Sequence, residues 1–247
     1  MRIIVSMRPA LLLTFLATLL VPSPSVYAVD EATPSTTREP ESANVAAKDI
    51  LSLSKIEDGK TLLQLGWKGG NQEDGKKDFS IVTEKGNAFI RSSYILGTEA
   101  KYLYKEVDWD TEKYPYLHWK WRARKFPPKA DIFDSKRSDA PAQVYILWRF
   151  FPRYYVLKYF WGSHERVGRG FKDGNVLTGA LFGEVIRSGG PWDVWHSESQ
   201  NIREAFKKAF GQKPPGNVRG IGVLSDGDDS QGESEADFAD FEASKSP

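Results

Sequence analysis

The feature that most constrains the fold of this chain is a block of aromatic residues between positions 102 and 161. The block holds five of the eight tryptophans and eight of the ten tyrosines, interleaved with lysine and arginine. Large apolar side chains recur in it at every second position, as in the stretch 116–123, where Trp119 and Trp121 share one face. Since successive side chains of a strand point to opposite faces, this spacing predicts half-buried β-strands.

One segment has a different period. Ile202, Phe206 and Phe210 recur at the spacing of an amphipathic helix. Asn201 suits the N-cap of this helix, and Gly211 suits the position just after its end. The sequence therefore predicts one short helix, near residues 201–210.

The remainder of the globular part is predicted as strands, separated by clusters of glycine, proline and aspartate. Many strands, one helix and no alternation of strands with helices predict an all-β fold. We expect an antiparallel β-sandwich of jelly-roll type, with a closed up-and-down barrel as the alternative. The predicted strands are 61–66, 79–84, 87–95, 100–107, 116–123, 143–150, 155–161, 176–187, 218–225 and 237–242.

Residues 1–28 have the pattern of a secretory signal peptide. Arg2 and Arg8 precede the apolar stretch 10–21. Val26 and Ala28 supply small side chains just before the expected cleavage point at Val29. We therefore expect a periplasmic or secreted protein. An uncleaved membrane anchor is the alternative, although the apolar stretch is shorter than the about 20 residues that span a bilayer.

The residues after the signal peptide divide into two parts. Residues 29–48 are rich in Ser, Thr, Pro, Glu and Ala, and they are expected to form a disordered leader because they contain too little apolar surface to fold. Residues 49–247 are expected to form a single β-sandwich domain. No stretch of the mature chain is predicted to span a membrane.

Charge is balanced overall but unevenly distributed. The segment 113–172 has 14 lysines and arginines against 4 acidic residues, whereas 225–247 has 8 acidic residues against 1 lysine. Either the two segments neutralise each other in the fold, or the basic segment attracts an anionic envelope polymer. Basic residues among aromatics also suit nucleic acid, but export argues against that partner.

The composition excludes several chemistries. The chain has no cysteine, which excludes disulfides, zinc–thiolate sites and cysteine catalysis. The three histidines lack the spacing that places two imidazoles on one metal, and no G-x-S-x-G elbow is present. We therefore predict no organic cofactor and favour a protein that is not an enzyme.

An acidic loop follows the strand predicted at 218–225. Asp226, Asp228 and Ser230 alternate as the first three oxygen ligands of a calcium loop do. The expected glycine is replaced by Gln231, so an EF-hand is excluded. A structural calcium ion on a sandwich loop and a solvated turn are the two remaining interpretations.

Five short motifs follow one another along the chain: 119–122, Asp139 with 144–146, 157–161, 198–211 and 225–228. In their order and spacing they resemble a family of secreted bacterial proteins known as DUF3047, a domain of unknown function. The resemblance spans about residues 75–242, and the family is similar in outline to galactose-binding-like and carbohydrate-binding jelly rolls. It implies a fold but no activity. Gln143 and Lys158 stand where the resemblance leads us to expect arginine and asparagine. The polar positions that match the family's motifs are Arg122, Asp139, Glu198, Asp226 and Asp228.

Polar and ring-bearing residues on the strands predicted at 116–123 and 143–161 form a candidate ligand face. We expect Arg122 to grip a carboxylate in a bidentate manner, with Asp139, Glu198 and Asp226 as possible partners. If the other sheet or the helix covers this side, its rings belong to the core instead. The candidate ligand residues are Tyr116, His118, Arg122, Asp139, Tyr145, Lys158 and Glu198.

Three functions fit these observations. The leading hypothesis is an exported, non-catalytic domain that binds a glycan or another envelope polymer, because sugars need exposed rings beside fixed hydrogen-bonding groups. The second is an envelope enzyme that cleaves polysaccharide with paired carboxylates drawn from Asp139, Glu198, Asp226 and Asp228. The third is a structural or protein-interaction domain.

Overall fold

The computed structural model describes residues 50–70, 78–150, 153–175 and 179–247. The predicted signal peptide and leader lie outside the described residues, as does the start of the strand predicted at 176–187. The one helix in the described part is α1 (Ile202–Phe210), and it is too short and too polar to cross a membrane. The strands are β1 (Ile50–Ser54), β2 (Trp67–Gly69), β3 (Phe79–Glu84), β4 (Asn87–Ser93), β5 (Leu103–Trp109), β6 (Tyr116–Lys125), β7 (Ala142–Phe150), β8 (Arg153–Gly162), β9 (Gly170–Asn175), β10 (Gly179–Ser188), β11 (His196–Asn201), β12 (Val218–Leu224) and β13 (Glu235–Ser244).

These strands form two sheets. The six-stranded sheet has the order β11-β6-β13-β4-β3, with β1 also paired to β13, and the seven-stranded sheet has the order β2-β5-β12-β7-β8-β10-β9. Neighbouring strands are antiparallel except β8 and β10, which run parallel. The all-β sandwich predicted from the sequence is therefore confirmed, with one parallel pair that strand patterns alone do not reveal.

Aromatic side chains from both sheets meet in the core. The ring of Trp119 in β6 stacks on Tyr159 in β8, with centroids 5.8 Å apart, and Trp121 packs against Trp161 at 5.7 Å. The apolar face predicted for the strand at 116–123 is thus the face that the two sheets bury between them. Because β6 and β8 lie in different sheets, their outward-pointing residues lie on opposite surfaces of the molecule.

The helix is formed as its sequence predicts. The side chain of Asn201 accepts a hydrogen bond from the backbone N–H of Glu204 at 3.0 Å. Gly211 ends the helix with φ at +70°, a conformation that glycine adopts without strain, and its N–H donates to the carbonyl of Lys207. The apolar side of the helix packs through Phe206 onto aromatic rings of the seven-stranded sheet.

The strand predicted at 61–66 is wrong, because this segment forms a series of turns and the strand begins only at Trp67. The side chains of Thr61 and Gln64 each accept a hydrogen bond from the other's backbone N–H, at 3.2 and 2.8 Å. This reciprocal arrangement is the capping box that starts a helical turn. The hydrogen bonds of this capping box therefore favour a turn where the pattern of leucines predicts a strand.

The uneven charges are paired within the six-stranded sheet, where basic β6 lies directly beside acidic β13. Lys120 contacts Asp240 at 2.9 Å, and Arg124 contacts Glu235 at 2.9 Å. Lys125, at the end of β6, contacts a glutamate just before β13 at 3.1 Å. These contacts favour mutual neutralisation over attraction of a polyanion.

Replacing either core tryptophan, Trp119→Ala or Trp121→Ala, is expected to lower the free energy of unfolding by about 3–5 kcal/mol, because each ring is almost fully buried between the sheets. Urea melts of the two variants measure this loss. Trp192→Ala is the matched control, since Trp192 is 49% exposed, and its midpoint should stay near that of the wild type. Unchanged midpoints for both core variants would contradict the assignment of the inward face.

Candidate functional site

The candidate ligand residues do not share one face, contrary to the sequence prediction. Tyr116, His118 and Arg122 lie on β6 and point out of the six-stranded sheet, whereas Tyr145 and Lys158 lie on β7 and β8 and point out of the seven-stranded sheet. The chain crosses from one sheet to the other between β6 and β7. The same alternation pattern therefore presents polar side chains to opposite surfaces.

On the six-stranded side, Arg122 is a structural residue. Its guanidinium contacts the buried carboxylate of Asp237 through Nε, at 2.8 Å, and through Nη2, and it also contacts Glu84 at 3.0 Å. Asp237 is fully buried and also binds Arg91. Arg122 holds a carboxylate with two N–H donors, but both reach the same oxygen of Asp237, and neither Asp237 nor Glu84 is among the three carboxylates predicted for it. Asp237 lies on the neighbouring strand β13, opposite Arg122 in the pairing register.

The other candidates on this side also have internal partners. The ring of His118 is hydrogen-bonded through Nε2 to the hydroxyl of Ser244 at 2.6 Å. Glu198 accepts hydrogen bonds from Trp121 Nε1, at 2.9 Å, and from Arg187 Nε, at 2.7 Å, and only 9% of its side chain is exposed. Glu198 is therefore held at the sheet edge by structural contacts.

The opposite outer face carries a row of aligned residues across its central strands. Tyr104 of β5 pairs with Gly222 of β12, Gly222 pairs with Tyr145 of β7, and Tyr145 pairs with Lys158 of β8. A Cβ on Gly222 would lie 3.6 and 3.7 Å from the Cβ atoms of Tyr145 and Tyr104. Gly222 is itself buried, so the side chains around it, those of the two tyrosines among them, cover the sheet at this point. The two tyrosines and Lys158 are each half-buried, so part of each side chain reaches solvent.

Three tyrosine rings form a cluster on this face, which we call the tyrosine face, composed of Tyr102, Tyr104 and Tyr145. The ring of Tyr102 lies 5.8 Å from each of the other two, and it is inclined by 31° to the ring of Tyr145. Tyr102 and Tyr104 were not among the predicted site residues. Their alternation in the strand predicted at 100–107 was the available signal, but only the sheet order places them beside Tyr145.

Polar groups border the tyrosine face. The hydroxyl of Tyr145 donates to Gln143 Oε1 at 2.7 Å, and Gln143 Nε2 is 3.4 Å from a carboxylate oxygen of Asp226. The ammonium of Lys158 lies over the rings of Tyr145 and Phe160, 4.8 and 4.6 Å from their centroids. Burial lowers the pKa of Lys158 to about 8, although nearby aspartates, Asp226 first among them, favour its charged form. Burial also raises the pKa of Tyr145 well above its ordinary value.

Three carboxylates meet at one end of this face. One oxygen each from Asp139, Asp226 and Asp228 lie within 4.8 Å of one another. Asp139 is buried and accepts backbone hydrogen bonds from Asp229, at 3.2 Å, and Ser230, at 2.6 Å. Burial, together with repulsion from the other two carboxylates, raises the pKa of Asp226 well above its ordinary range.

These oxygens are of the type that calcium prefers, and the cluster contains two of the three predicted ligands, Asp226 and Asp228. The third, Ser230, has a buried hydroxyl with no hydrogen-bond partner in the described part of the chain. The oxygens of Asp139 already accept two backbone N–H groups, and the Lys158 ammonium lies close enough to interact electrostatically with the cluster. Calcium binding by Asp226, Asp228 and Ser230 stays a prediction.

Comparison with known proteins places the chain in a family. A family model described as "Protein of unknown function (DUF3047)" matches residues 66–242, and the chain belongs to that family. A comparison with curated proteins finds no match.

Several solved structures are similar to this chain in outline, each 11% identical in sequence. The family 30 carbohydrate-binding module of a cellulosomal cellulase from Clostridium thermocellum has a TM-score of 0.36, with 80% of this chain and 94% of that chain covered. The xyloglucanase domain of NopAA from Sinorhizobium fredii, in complex with cellobiose, has a TM-score of 0.37, with 82% and 100% covered. A cellulase derived from Cel12A of Rhodothermus marinus has a TM-score of 0.44, with 78% and 98% covered. Similarity at this level assigns no function to the chain.

The substitution Arg122→Lys is expected to lower the free energy of unfolding by about 1–3 kcal/mol, because lysine cannot satisfy the buried Asp237 carboxylate with two donors. Chemical denaturation measures the change. Lys120→Met, on the same strand and face, is the control, since the pair of Lys120 with Asp240 is about half exposed and should contribute less than about 0.5 kcal/mol. A variant Arg122→Lys as stable as the wild type would contradict a structural role for the Arg122 guanidinium.

The stability contribution of Lys158 is expected to depend on pH. Its folded pKa of about 8 lies below the ordinary value of 10.5, so the unfolded chain binds more protons between these two values. By linkage, the contribution of Lys158 to stability rises as pH rises through this window, and below it the full cost of burying the ammonium is present. Urea midpoints of wild type and Lys158→Met, compared from about pH 7 to pH 10, should show the wild type gaining relative to the variant. A constant difference would contradict this.

Proposed function

We propose that this chain is an exported, non-catalytic protein that binds a glycan on the tyrosine face of its seven-stranded sheet. The observation that carries the proposal is the cluster of three half-buried tyrosine rings, bordered by the carboxyl group of Asp226 and the ammonium of Lys158. Sugars combine apolar ring faces with many hydroxyls, so they bind where rings lie beside fixed donors and acceptors.

The position of this face supports the proposal. It is the outer surface of the seven-stranded sheet, and its three tyrosines are each half-buried, so part of each side chain can reach a ligand. The hydroxyl of Tyr145 donates to the fully buried Gln143, so the central ring of the face is oriented before a ligand arrives. Groups that are fixed in advance bind with a smaller loss of conformational entropy.

The charges favour a neutral glycan over a polyanion. Most cations of the basic β6 strand are paired with acids on or beside β13, on the opposite side of the sandwich. Next to the tyrosine face, the positive charge of Lys158 is outnumbered by aspartates. An anionic polymer would meet net repulsion there.

The geometry favours binding over polysaccharide hydrolysis. A glycosidase places its two carboxyl groups about 5–5.5 Å or further apart, on either side of the scissile bond. Asp139, Asp226 and Asp228 instead form a single group, with one oxygen of each within 4.8 Å of the others, and both oxygens of Asp139 already accept a backbone N–H. Glu198, the fourth predicted acid, lies on β11 of the six-stranded sheet and is engaged by Trp121 of that sheet and by Arg187 of β10.

The substitution Tyr145→Ala is expected to weaken glycan binding by about tenfold or more, since it removes the central ring of the tyrosine face. Tyr145→Phe keeps the ring and should retain most of the affinity. Tyr116→Ala is the matched control, because Tyr116 is also a half-buried strand tyrosine but lies on the opposite outer face.

A glycan array with the purified exported protein would identify the ligand, and isothermal titration calorimetry would then compare the variants. Urea melts run in parallel separate loss of binding from loss of fold. Equal affinity of the Tyr145→Ala variant and the wild type would overturn the assignment of the face. Failure of the wild type to bind any glycan would overturn the proposed function itself.

A further inference from the structure

One tryptophan of this chain is not used by the core. Of the eight tryptophans, six are almost fully buried, and Trp195 is half-buried. Trp192 is 49% exposed. An indole that is half exposed and held in a fixed orientation offers a flat apolar face to a ligand.

The segment that carries Trp192 is anchored on both sides of it. This segment, residues 189–195, joins β10 to β11, and we call it the Trp192 loop. Before Trp192, the N–H of Gly189 donates to the carbonyl of Gly162 at 3.0 Å. After it, the N–H of Asp193 donates to the carbonyl of Ala123 in β6 at 2.9 Å. Trp195 then packs on Phe89, with ring centroids 5.2 Å apart.

The indole of Trp192 is itself held in place. Its ring meets Phe126 at 3.7 Å between centroids, with the planes 63° apart. It also lies against Gly190, where a Cβ would be 3.5 Å from both Cε2 and Nε1 of the indole. The backbone of Gly190 therefore supports part of the ring, and the exposed remainder is presented to solvent in a fixed orientation.

The residue after Trp192 in the sequence carries a carboxylate. The carboxylate of Asp193 is 59% exposed, and one of its oxygens lies 3.5 Å from Arg122 Nε and 3.8 Å from Arg124 Nε. These contacts orient the carboxylate from one side. Its exposed remainder keeps the capacity to accept hydrogen bonds from a ligand.

From this geometry we infer that Trp192 and Asp193 form a second glycan-binding site, which stacks one sugar ring on the indole and accepts its hydroxyls at the carboxylate. The site extends the proposed function but lies apart from the tyrosine face, because the Trp192 loop is fixed to β6 of the six-stranded sheet. A single flat ring with a polar neighbour matches one sugar unit. A protein partner would need about 800 Å² on each side, whereas the large apolar side chains exposed on this loop are those of Trp192 and Val194.

Affinity gel electrophoresis of the purified exported protein tests this inference, with hydroxyethylcellulose, xyloglucan and polygalacturonate as the three probes. Trp192→Ala is expected to weaken retardation on at least one probe by about fivefold or more, and Trp192→Phe to restore part of it. Val194→Ala changes an exposed apolar residue of the same loop and should leave retardation unchanged. The urea midpoints of all three variants should match that of the wild type.

The tyrosine-face variant Tyr145→Ala, run in the same gels, separates the two proposals. If Trp192→Ala and Tyr145→Ala each weaken retardation on the same probe, two sites that bind one polymer are supported. The double variant should then be retarded less than either single variant. Weakening by Tyr145→Ala with no effect of Trp192→Ala would overturn the second site and leave the proposed function standing. Weakening by Trp192→Ala alone would support the site on the loop and count against the tyrosine face. A wild type that none of the three probes retards would overturn the second site.

Discussion

The structure depends on the packing of aromatic side chains from β6 against those from β8. Trp119 on Tyr159 and Trp121 on Trp161 join the two sheets at their centres, and these large rings contribute much of the apolar burial in the core. Since side chains alternate along a strand, fixing the inward residues also fixes every outward one. The contacts that hold the sheets together therefore also determine which residues point outward. Lys158 and Tyr145 point out of the seven-stranded sheet, and Arg122 points out of the six-stranded sheet.

The two outer surfaces have different roles. On the six-stranded side, the buried carboxylate of Asp237 binds Arg91 and Arg122, and Arg122 lies over the rings of Phe89 and Trp195. These contacts satisfy the polar groups internally and cover the sheet. On the seven-stranded side, the tyrosine rings pack against one another and stay partly open to solvent.

The sequence predicts local features well and sheet partners poorly. The inward face of β6, the helix with its Asn201 cap and the β-sandwich class all follow from periodicity and capping, which depend on residues close together in the chain. The partner of Arg122 cannot be predicted in this way, because Asp237 lies 115 positions further along the chain and contacts Arg122 only through the pairing of their strands. For the same reason, the assignment of Tyr116 and Tyr145 to one face is wrong: alternation tells which residues share a face of one strand, but not which sheet that strand joins.

The last strand of the chain, β13, lies in the interior of the six-stranded sheet. It pairs with β1, β4 and β6, and its final residues are matched with the first described strand, so that Ile50 lies opposite Ser244. Contacts between such distant parts of the sequence form slowly, because a long loop must close before they are gained. A chain that is still missing its C-terminal residues therefore cannot complete this sheet. Without β13, strands β4 and β6 would each expose an unpaired edge, which is a template for pairing with other chains.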